Sequence, residues 1–177
     1  CRLQKERGAG KWHGLQAPQS HRALPRVRRA AMSLTCSKRF EKGKTMAHQG
    51  GCQCGAVRYE VEGEPKHAAL CHCRDCRRSA GAPMVAWTAF AAANFRVVAG
   101  EAVTFNSSGA SMRSFCGKCG TGLWFVNEEM LPGIVDVQTA TLDDPEAYPA
   151  QAHIQVAERI GWMSNAHELP EFARYPG

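Results

Sequence analysis

The stretch CHCRDC at residues 71–76 places three thiols, Cys71, Cys73 and Cys76, within six residues. Free cysteine is usually a small buried hydrophobe, but here the intervening residues are His, Arg and Asp, so packing does not explain the density of thiols. A polar loop with clustered thiols is typical of a metal site. Three ligands leave a tetrahedral zinc one ligand short, and an open fourth position distinguishes catalytic from structural zinc sites.

The chain length and the distribution of charge bound the class of protein. A chain of 177 residues suffices for one domain with a sizeable core. Residues 1–45 carry twelve Lys and Arg against two acidic residues, whereas residues 46–177 carry ten against fourteen. The net charge of +6 therefore comes from a basic extension on a mildly acidic body. Because the body lacks a basic footprint, nucleic acid is not an expected partner.

The first 45 residues differ from the rest in composition and in hydrophobic periodicity. They show no sustained apolar period and contain arginine clusters such as RVRR at residues 26–29, which is typical of disorder. We predict a disordered basic extension at residues 1–45 and a zinc-binding β domain at residues 46–177. A nucleic-acid arm and a mitochondrial transit peptide are alternative interpretations. We expect instead that native translation starts at Met46 and that the extension has no role.

The nine cysteines raise the question of the compartment. A secreted protein would use them as a disulfide framework, but no secretory h-region is visible near the N-terminus. No stretch approaches the ~20 apolar residues of a membrane span. The C-x-C and C-x-x-C spacings place thiols on one small loop, which suits chelation or redox chemistry better than a crosslink between distant segments. We therefore expect a reduced, cytoplasmic protein without membrane attachment.

Short alternating segments separated by turn residues follow the extension. The clearest half-buried strand is AVRYEVE at residues 56–62. Further strands are predicted at residues 67–70, 84–90, 95–98, 103–106, 112–115, 122–126, 134–141 and 153–157. Helix is predicted only as one short turn at residues 143–148 and a brief coil at residues 73–79. This pattern predicts a mainly β, mainly antiparallel domain with little helix.

The body contains seven cysteines, which fall into two pairs and one trio. The two pairs can close one Cys₄ tetrahedron, while the trio forms a second site by itself. Zinc is the predicted ion at both sites, and an iron–sulfur cluster is the main competitor. The predicted metal ligands are Cys52, Cys54, Cys116 and Cys119 at the first site, and Cys71, Cys73 and Cys76 at the second.

Two other interpretations of the cysteines stay open at this point. All seven can be structural, with His72 or another side chain as the fourth ligand of the trio. However, the middle side chain of a C-x-C turn normally points away from the ion, so His72 is not an expected ligand. Redox use of a C-x-x-C pair is the second alternative, and the absence of a βαβ pattern weakens it.

Three stretches together resemble the glutathione-dependent formaldehyde-activating enzyme (GFA) family. They are GCQCG at residues 51–55, CHCRDCRRSAGAP at residues 71–83 and FCGKCGTGL at residues 115–123. The resemblance covers about residues 47–175, and it is specific because all three cysteine groups occur in order. It implies the Mss4-like β-tent fold, a structural zinc on the two cysteine pairs and a catalytic zinc on the trio.

The resemblance also implies an activity. The family condenses glutathione with formaldehyde to S-(hydroxymethyl)glutathione, a reversible carbon–sulfur bond formation classed as a lyase reaction. We therefore predict a zinc-dependent carbon–sulfur lyase with Cys71, Cys73 and Cys76 as catalytic residues, acting on a thiol such as glutathione and an aldehyde. Arg77 and Arg78 are the predicted substrate-binding residues, because guanidinium groups pair with carboxylates. The alternative is a non-catalytic zinc module that binds a protein or nucleic acid.

A few other residues are candidates for the site on weaker grounds. His153 lies on a strand pattern and is expected to be a structural histidine rather than a general base. Trp87, Trp124 and Trp162 can line a cavity, although aromatic residues on strands usually belong to the core. Asp75 is expected to anchor the cysteine loop by accepting backbone hydrogen bonds.

Overall fold

The computed structural model describes residues 47–176. The predicted disordered extension lies outside the described residues, so it stays a prediction. The described residues up to His167 form one compact unit that carries all of the strands, and those from Glu168 onward group separately. No helix in the described part of the chain is long and apolar enough to cross a membrane.

Ten short strands dominate the architecture. They are β1 Ala47–Gly51, β2 Arg58–Glu62, β3 His67–Cys71, β4 Val85–Ala91, β5 Phe95–Ala99, β6 Ala102–Ser108, β7 Ser111–Cys116, β8 Gly122–Val126, β9 Ile134–Gln138 and β10 Ala152–Ile154. One α-helix in the described region, α1, covers Arg74–Ala80. The 3-10 segments are Ala92–Asn94, Thr139–Thr141, Pro145–Ala147, Val156–Glu158 and Gly161–Glu168. The predicted mainly β class with little helix is confirmed.

The strands form two sheets. The smaller has the order β1-β2-β5 and the larger has the order β10-β3-β4-β9-β8-β7-β6. Every pairing between named strands is antiparallel except that of β10 with β3, which is parallel. The parallel pairing places Ile154 opposite Cys71. The C-terminal part of the unit therefore lies beside the strand that leads into the cysteine trio.

The main core contains residues from both sheets. Tyr59 of β2, Phe90 of β4 and Leu123 of β8 are fully buried in it, and burial of each such side chain stabilises the fold by about 1.5–3 kcal/mol. Strand β9 adds Val135 and Val137 to this core. Because side chains alternate across a strand, the remaining side chains of β9 are directed to the opposite face of the larger sheet, where the candidate site lies.

Most strand boundaries lie within two residues of the sequence prediction, and three strands differ more. The strand predicted at residues 134–141 ends at Gln138, and the chain continues as a 3-10 turn. The strand predicted at residues 153–157 is reduced to β10. Strand β1 was not predicted, because its sequence, AHQGG, lacks apolar alternation. The short turn predicted at residues 143–148 is confirmed as a 3-10 turn at Pro145–Ala147.

Candidate metal centres and active site

Four thiols meet where the smaller sheet adjoins the larger one. The Sγ atoms of Cys52, Cys54, Cys116 and Cys119 all lie within 4.8 Å of one another. The separations are 3.5 Å between Cys52 and Cys54 and 3.8 Å between Cys54 and Cys116. A tetrahedral ion with Zn–S bonds of about 2.3 Å requires sulfur–sulfur distances of about 3.8 Å. The four thiols therefore fit a metal ion of this kind.

Two glycine turns shape this four-cysteine cluster. Gly55 and Gly120 have φ angles of 74° and 77°, which only glycine adopts readily. Their amides donate to the carbonyls of Cys52 and Cys116 at 3.0 and 2.8 Å. The amide of Val57 donates to the Cys52 Sγ at 3.2 Å. Amide hydrogens directed at sulfur favour the thiolate form that a metal ion requires.

Thr121 connects the two turns of the four-cysteine cluster. Its hydroxyl lies 3.2 Å from the Cys119 Sγ and accepts the Gln53 amide at 3.2 Å. Hydrogen bonds from the side chain and backbone of Thr121 lower the pKa of Cys119 to about 5. Cys54 and Cys119 are exposed, whereas Cys52 and Cys116 are buried.

The cysteine trio is assembled by one strand end and one short helix. Cys71 is the last residue of β3, Cys73 is the N-cap of α1, and Cys76 lies inside α1. Their Sγ atoms also lie within 4.8 Å of one another. The Cys76 amide donates to the Cys73 Sγ at 3.3 Å, and Gly81, with φ of 62°, ends the helix. The trio thus has the donor type and spacing of a metal site.

The trio has three members among the described residues, with no fourth His, Cys, Asp or Glu in the group. His72, between two of the thiols, is directed away from them, as expected, and its Nε2 lies 2.9 Å from the Nδ1 of His153. A hydrogen bond from the Cys71 thiol lowers the pKa of Cys76 to about 5, and Arg113 acts in the same direction. The site therefore stabilises negative charge on Cys76.

A cavity of about 590 Å³ opens beside α1, within the range of about 300–1,000 Å³ that is usual for small-molecule sites. Its wall combines aromatic and polar side chains. They include Trp87, Trp124, Phe105, Asp75, Arg78, Arg113 and Gln138. Of the three tryptophans considered from the sequence, Trp87 and Trp124 thus contact the cavity, whereas Trp162 is exposed.

The two arginines predicted to bind substrate have different surroundings. Arg78 is exposed and lines the cavity. Arg77 donates from Nε to the carbonyl of His72 and from Nη2 to the carbonyl of Glu158, both at 3.0 Å, and it is not part of the cavity wall. These contacts give Arg77 a role in holding the cysteine loop. Its predicted contact with substrate has no support from the shape of the cavity.

Arg113 was not identified from the sequence, although the structure places it at the site. It is 9% exposed, and its Nη2 lies 3.7 Å from the Cys76 Sγ. Its Nε donates to the Ser107 hydroxyl at 3.1 Å, and its guanidinium lies over the Phe125 ring at 4.8 Å from the centroid. An arginine in a strand normally indicates a solvent-facing position, so nothing in the sequence indicates this burial.

The segment at residues 152–158 makes hydrogen bonds to the cysteine loop, residues 71–76. His153 pairs with His72, and the amide of His72 donates to the carbonyl of Ile154 at 3.0 Å. The Glu158 carboxylate accepts the amide of Arg74 at 2.6 Å. Burial lowers the pKa of His72, so this ring is neutral at physiological pH. The His72–His153 contact supports the structural role expected for His153.

The fold and site together define a class of protein: a mainly β domain with one cluster of four cysteines and one of three, the second beside a cavity. Both clusters can hold metal ions. The profile of the glutathione-dependent formaldehyde-activating enzyme family matches residues 47–158. The chain belongs to this family, and the resemblance seen in the sequence is confirmed.

The chain is similar to two named relatives and to one solved structure. A Halomonas elongata protein named for glutathione-dependent formaldehyde activation is 28% identical over 142 residues, which cover 74% of this chain and 90% of that protein. An uncharacterized lyase of Schizosaccharomyces pombe is 28% identical over 116 residues, covering 57% and 83%. A crystal structure of a Rhodobacter sphaeroides protein is 25% identical, covers 59% of this chain and 98% of that one, and superposes with a TM-score of 0.48.

Proposed function

We propose that the protein is a zinc-dependent carbon–sulfur lyase that forms or cleaves a thiol–aldehyde adduct such as S-(hydroxymethyl)glutathione. The observation that carries the proposal is the position of the three-cysteine cluster beside a cavity lined by two guanidinium groups. Relatives named for glutathione-dependent formaldehyde activation and as a lyase support the same reaction class. A non-catalytic zinc module, the alternative from the sequence, does not require such a cavity.

The two clusters would have different roles. In this proposal the four-cysteine cluster holds a structural zinc that joins residues 52–54 to residues 116–119. The trio holds the catalytic zinc. A zinc ion held by Cys71, Cys73 and Cys76 would supply a positive charge that favours the thiolate form of a thiol substrate. Such thiolate sites persist where cysteines stay reduced, which favours the cytoplasm.

The cavity wall suits a peptide-like thiol. Arg78 at the exposed rim presents a guanidinium to a carboxylate, and the carboxylate of Asp75 presents the opposite charge to an ammonium group. Trp87 and Trp124 supply apolar walls that exclude water from the thiol and from a small aldehyde. Glutathione combines two carboxylates, one ammonium group and one thiol, so it matches this arrangement.

The experiment that tests the proposal measures exchange between free formaldehyde and its glutathione adduct by carbon-13 NMR, because the adduct also forms without an enzyme. We expect zinc-loaded protein to accelerate exchange well above the uncatalysed rate. Cys73→Ser should abolish the acceleration while circular dichroism shows a folded β domain, and Cys36→Ser should match the wild type. No acceleration by zinc-loaded wild type, with glutathione or with other small thiols, would refute the proposed activity.

A further inference from the structure

We infer that Arg113 is a catalytic residue that binds the aldehyde oxygen, whereas Arg78 binds the thiol substrate at its carboxylate. This inference rests on the proposed function. It assigns separate tasks to the two guanidinium groups of the cavity wall. The argument depends on burial, on the contacts of each arginine and on the charge that the reaction develops.

Arg113 lies at the base of the cavity. Its 9% exposure contrasts with the exposed Arg78 on α1. The guanidinium is held from three sides, by the Ser107 hydroxyl at 3.1 Å, by the Cys76 Sγ at 3.7 Å and by the Phe125 ring at 4.8 Å. A side chain fixed in this way is pre-organised, because little rotamer freedom is left to lose when it binds.

The charge of Arg113 has no carboxylate partner within ion-pair distance among the described residues. A buried charge normally requires a partner of opposite sign. The Cys76 Sγ, 3.7 Å from Nη2, fulfils part of this requirement. Two described contacts, from Nε and Nη2, occupy only part of the five N–H groups of the guanidinium. Arg113 therefore has donor capacity left for an oxygen in the cavity.

The reaction develops negative charge on such an oxygen. When a thiolate sulfur attacks the aldehyde carbon, the new carbon–sulfur bond takes the sulfur electron pair and the carbonyl π pair moves to the oxygen. The proton that the thiol released to water returns to this oxygen, which gives the hydroxymethyl thioether. A fixed, desolvated donor at the developing oxyanion lowers the barrier, because it needs no reorganisation during the step.

The sizes of the two reactants and the positions of the two arginines indicate which reactant contacts which arginine. The aldehyde is the smaller reactant, and it must reach the sulfur held near Cys76, where Arg113 lies. The carboxylates of a peptide thiol are several bonds away from its sulfur, so they extend toward the rim and Arg78. Loss of Arg113 should therefore affect turnover, and loss of Arg78 should affect thiol affinity.

The test compares Arg113→Met, Arg113→Lys and Arg78→Met, with Arg96→Gln as a surface control whose ion pairs with Glu60 and Glu62 lie on the smaller sheet. We expect Arg113→Met to lower kcat about 10²–10³-fold with less than a threefold change in KM for glutathione. Arg113→Lys should be intermediate, and guanidinium ion at millimolar concentration should partly rescue Arg113→Met. Arg78→Met should raise KM for glutathione about tenfold with kcat retained.

A second readout separates catalysis from structure. Cobalt-substituted Arg113→Met should keep two ions per chain and should keep the change in visible absorption when glutathione is added. For Arg113→Met, loss of an ion, loss of that spectral change or an unchanged kcat would overturn the inference about Arg113. None of these outcomes would contradict the proposed function. If wild type shows no turnover, the proposed function fails and the inference fails with it. If Arg113→Met does not fold, an Arg113→Lys enzyme with unchanged kcat would still overturn the inference.

Discussion

At the residue scale, two charged side chains of the larger sheet, Arg113 and Asp136, are buried, although the alternation of residues in the sequence predicts that they are exposed. Arg113 and Asp136 lie on facing positions of β7, β8 and β9, one on each side of Phe125. A pattern of alternating apolar and polar residues predicts that such charges face water. Here α1 lies against this face of the sheet, with Cys76 in contact with Arg113 and close enough to Asp136 to influence its pKa, and both charges are buried. The sequence cannot show this contact, because it comes from a distant segment.

Asp136 gives a prediction about pH. Burial raises its pKa, and His67 at 3.7 Å opposes the shift only partly. The folded state therefore binds this proton more tightly than the unfolded state, so the free energy of unfolding falls as pH rises from the ordinary Asp value of about 3.9 through the raised value. Asp136→Asn should raise the melting temperature by a few degrees at pH 8, with a smaller gain at pH 5.

The control for this prediction is Asp144→Asn, because Asp144 is exposed and its side chain makes no cap hydrogen bond. Differential scanning calorimetry of metal-loaded protein at the two pH values supplies the comparison. If Asp136→Asn raised the melting temperature equally at both pH values, ionisation of the buried carboxylate would not be the cause of the increase.

Gly100 gives a prediction about backbone conformation. It joins β5 to β6 with φ of 70°, and an added Cβ would lie 1.9 Å from the carbonyl oxygen of Ala56. Gly100→Ala should reduce the free energy of unfolding by about 2–4 kcal/mol, because backbone strain and a backbone clash act together. Gly109→Ala should cost only about 1 kcal/mol, since its φ is 51° with open space around the site. Chemical denaturation that gives equal losses would contradict this account.

At the element scale, local spacing predicted most strands, and long-range pairing decided the rest. Strand β1 forms because it pairs with β2 along its whole length, and Gly50 leaves room for the buried Tyr59, whose ring lies 2.4 Å from the position of an added Cβ. The parallel contact of β10 with β3 could not be foreseen, since it depends on residues more than 80 positions apart. Helix α1 lies within one residue of the brief coil predicted at residues 73–79, and the cap at Cys73 and the turn at Gly81 set its ends.

The fastening of the cysteine loop by residues 152–158 gives a prediction at this scale. His153→Leu removes the 2.9 Å contact with His72, whose neighbours Cys71 and Cys73 are predicted ligands. Because His72 is not itself a ligand, we expect an effect at the low end of the range for groups that support metal ligands, about tenfold in metal affinity. Chelator competition should show this weakening at the trio and no change at the four-cysteine cluster. His48→Phe is the matched control, because His48 contacts Tyr148 and not the cysteine loop. Equal weakening in both variants would contradict a local effect.

At the scale of the whole molecule, the seven thiols of the described residues divide into a group of four and a group of three. This division was predicted from the sequence, because C-x-C and C-x-x-C spacings restrict sulfur positions directly. In the structure, the thiols of each group lie close to one another. The cavity was not predictable, since its wall combines residues of α1 with five strands of the larger sheet. Membership of the family was predictable from the cysteine motifs. The role of each residue in the cavity wall could be inferred only from the structure.

The two clusters should respond differently to loss of a ligand. A structural zinc contributes about 10–16 kcal/mol of apparent binding energy in small peptides, which is comparable to the ~5–15 kcal/mol stability of a whole domain. Cys116→Ser should therefore abolish folding. Cys76→Ser should leave the folded domain intact, because the trio lies at one strand end and on one short helix outside the main core.

Metal content measured together with folding tests this division most directly. Inductively coupled plasma mass spectrometry should find two zinc ions per wild-type chain and one per Cys76→Ser chain, with the variant retaining its β circular dichroism and losing turnover. Two ions with full turnover in Cys76→Ser, or a single ion in the wild type, would contradict a closed structural site of four cysteines and a separate catalytic site of three.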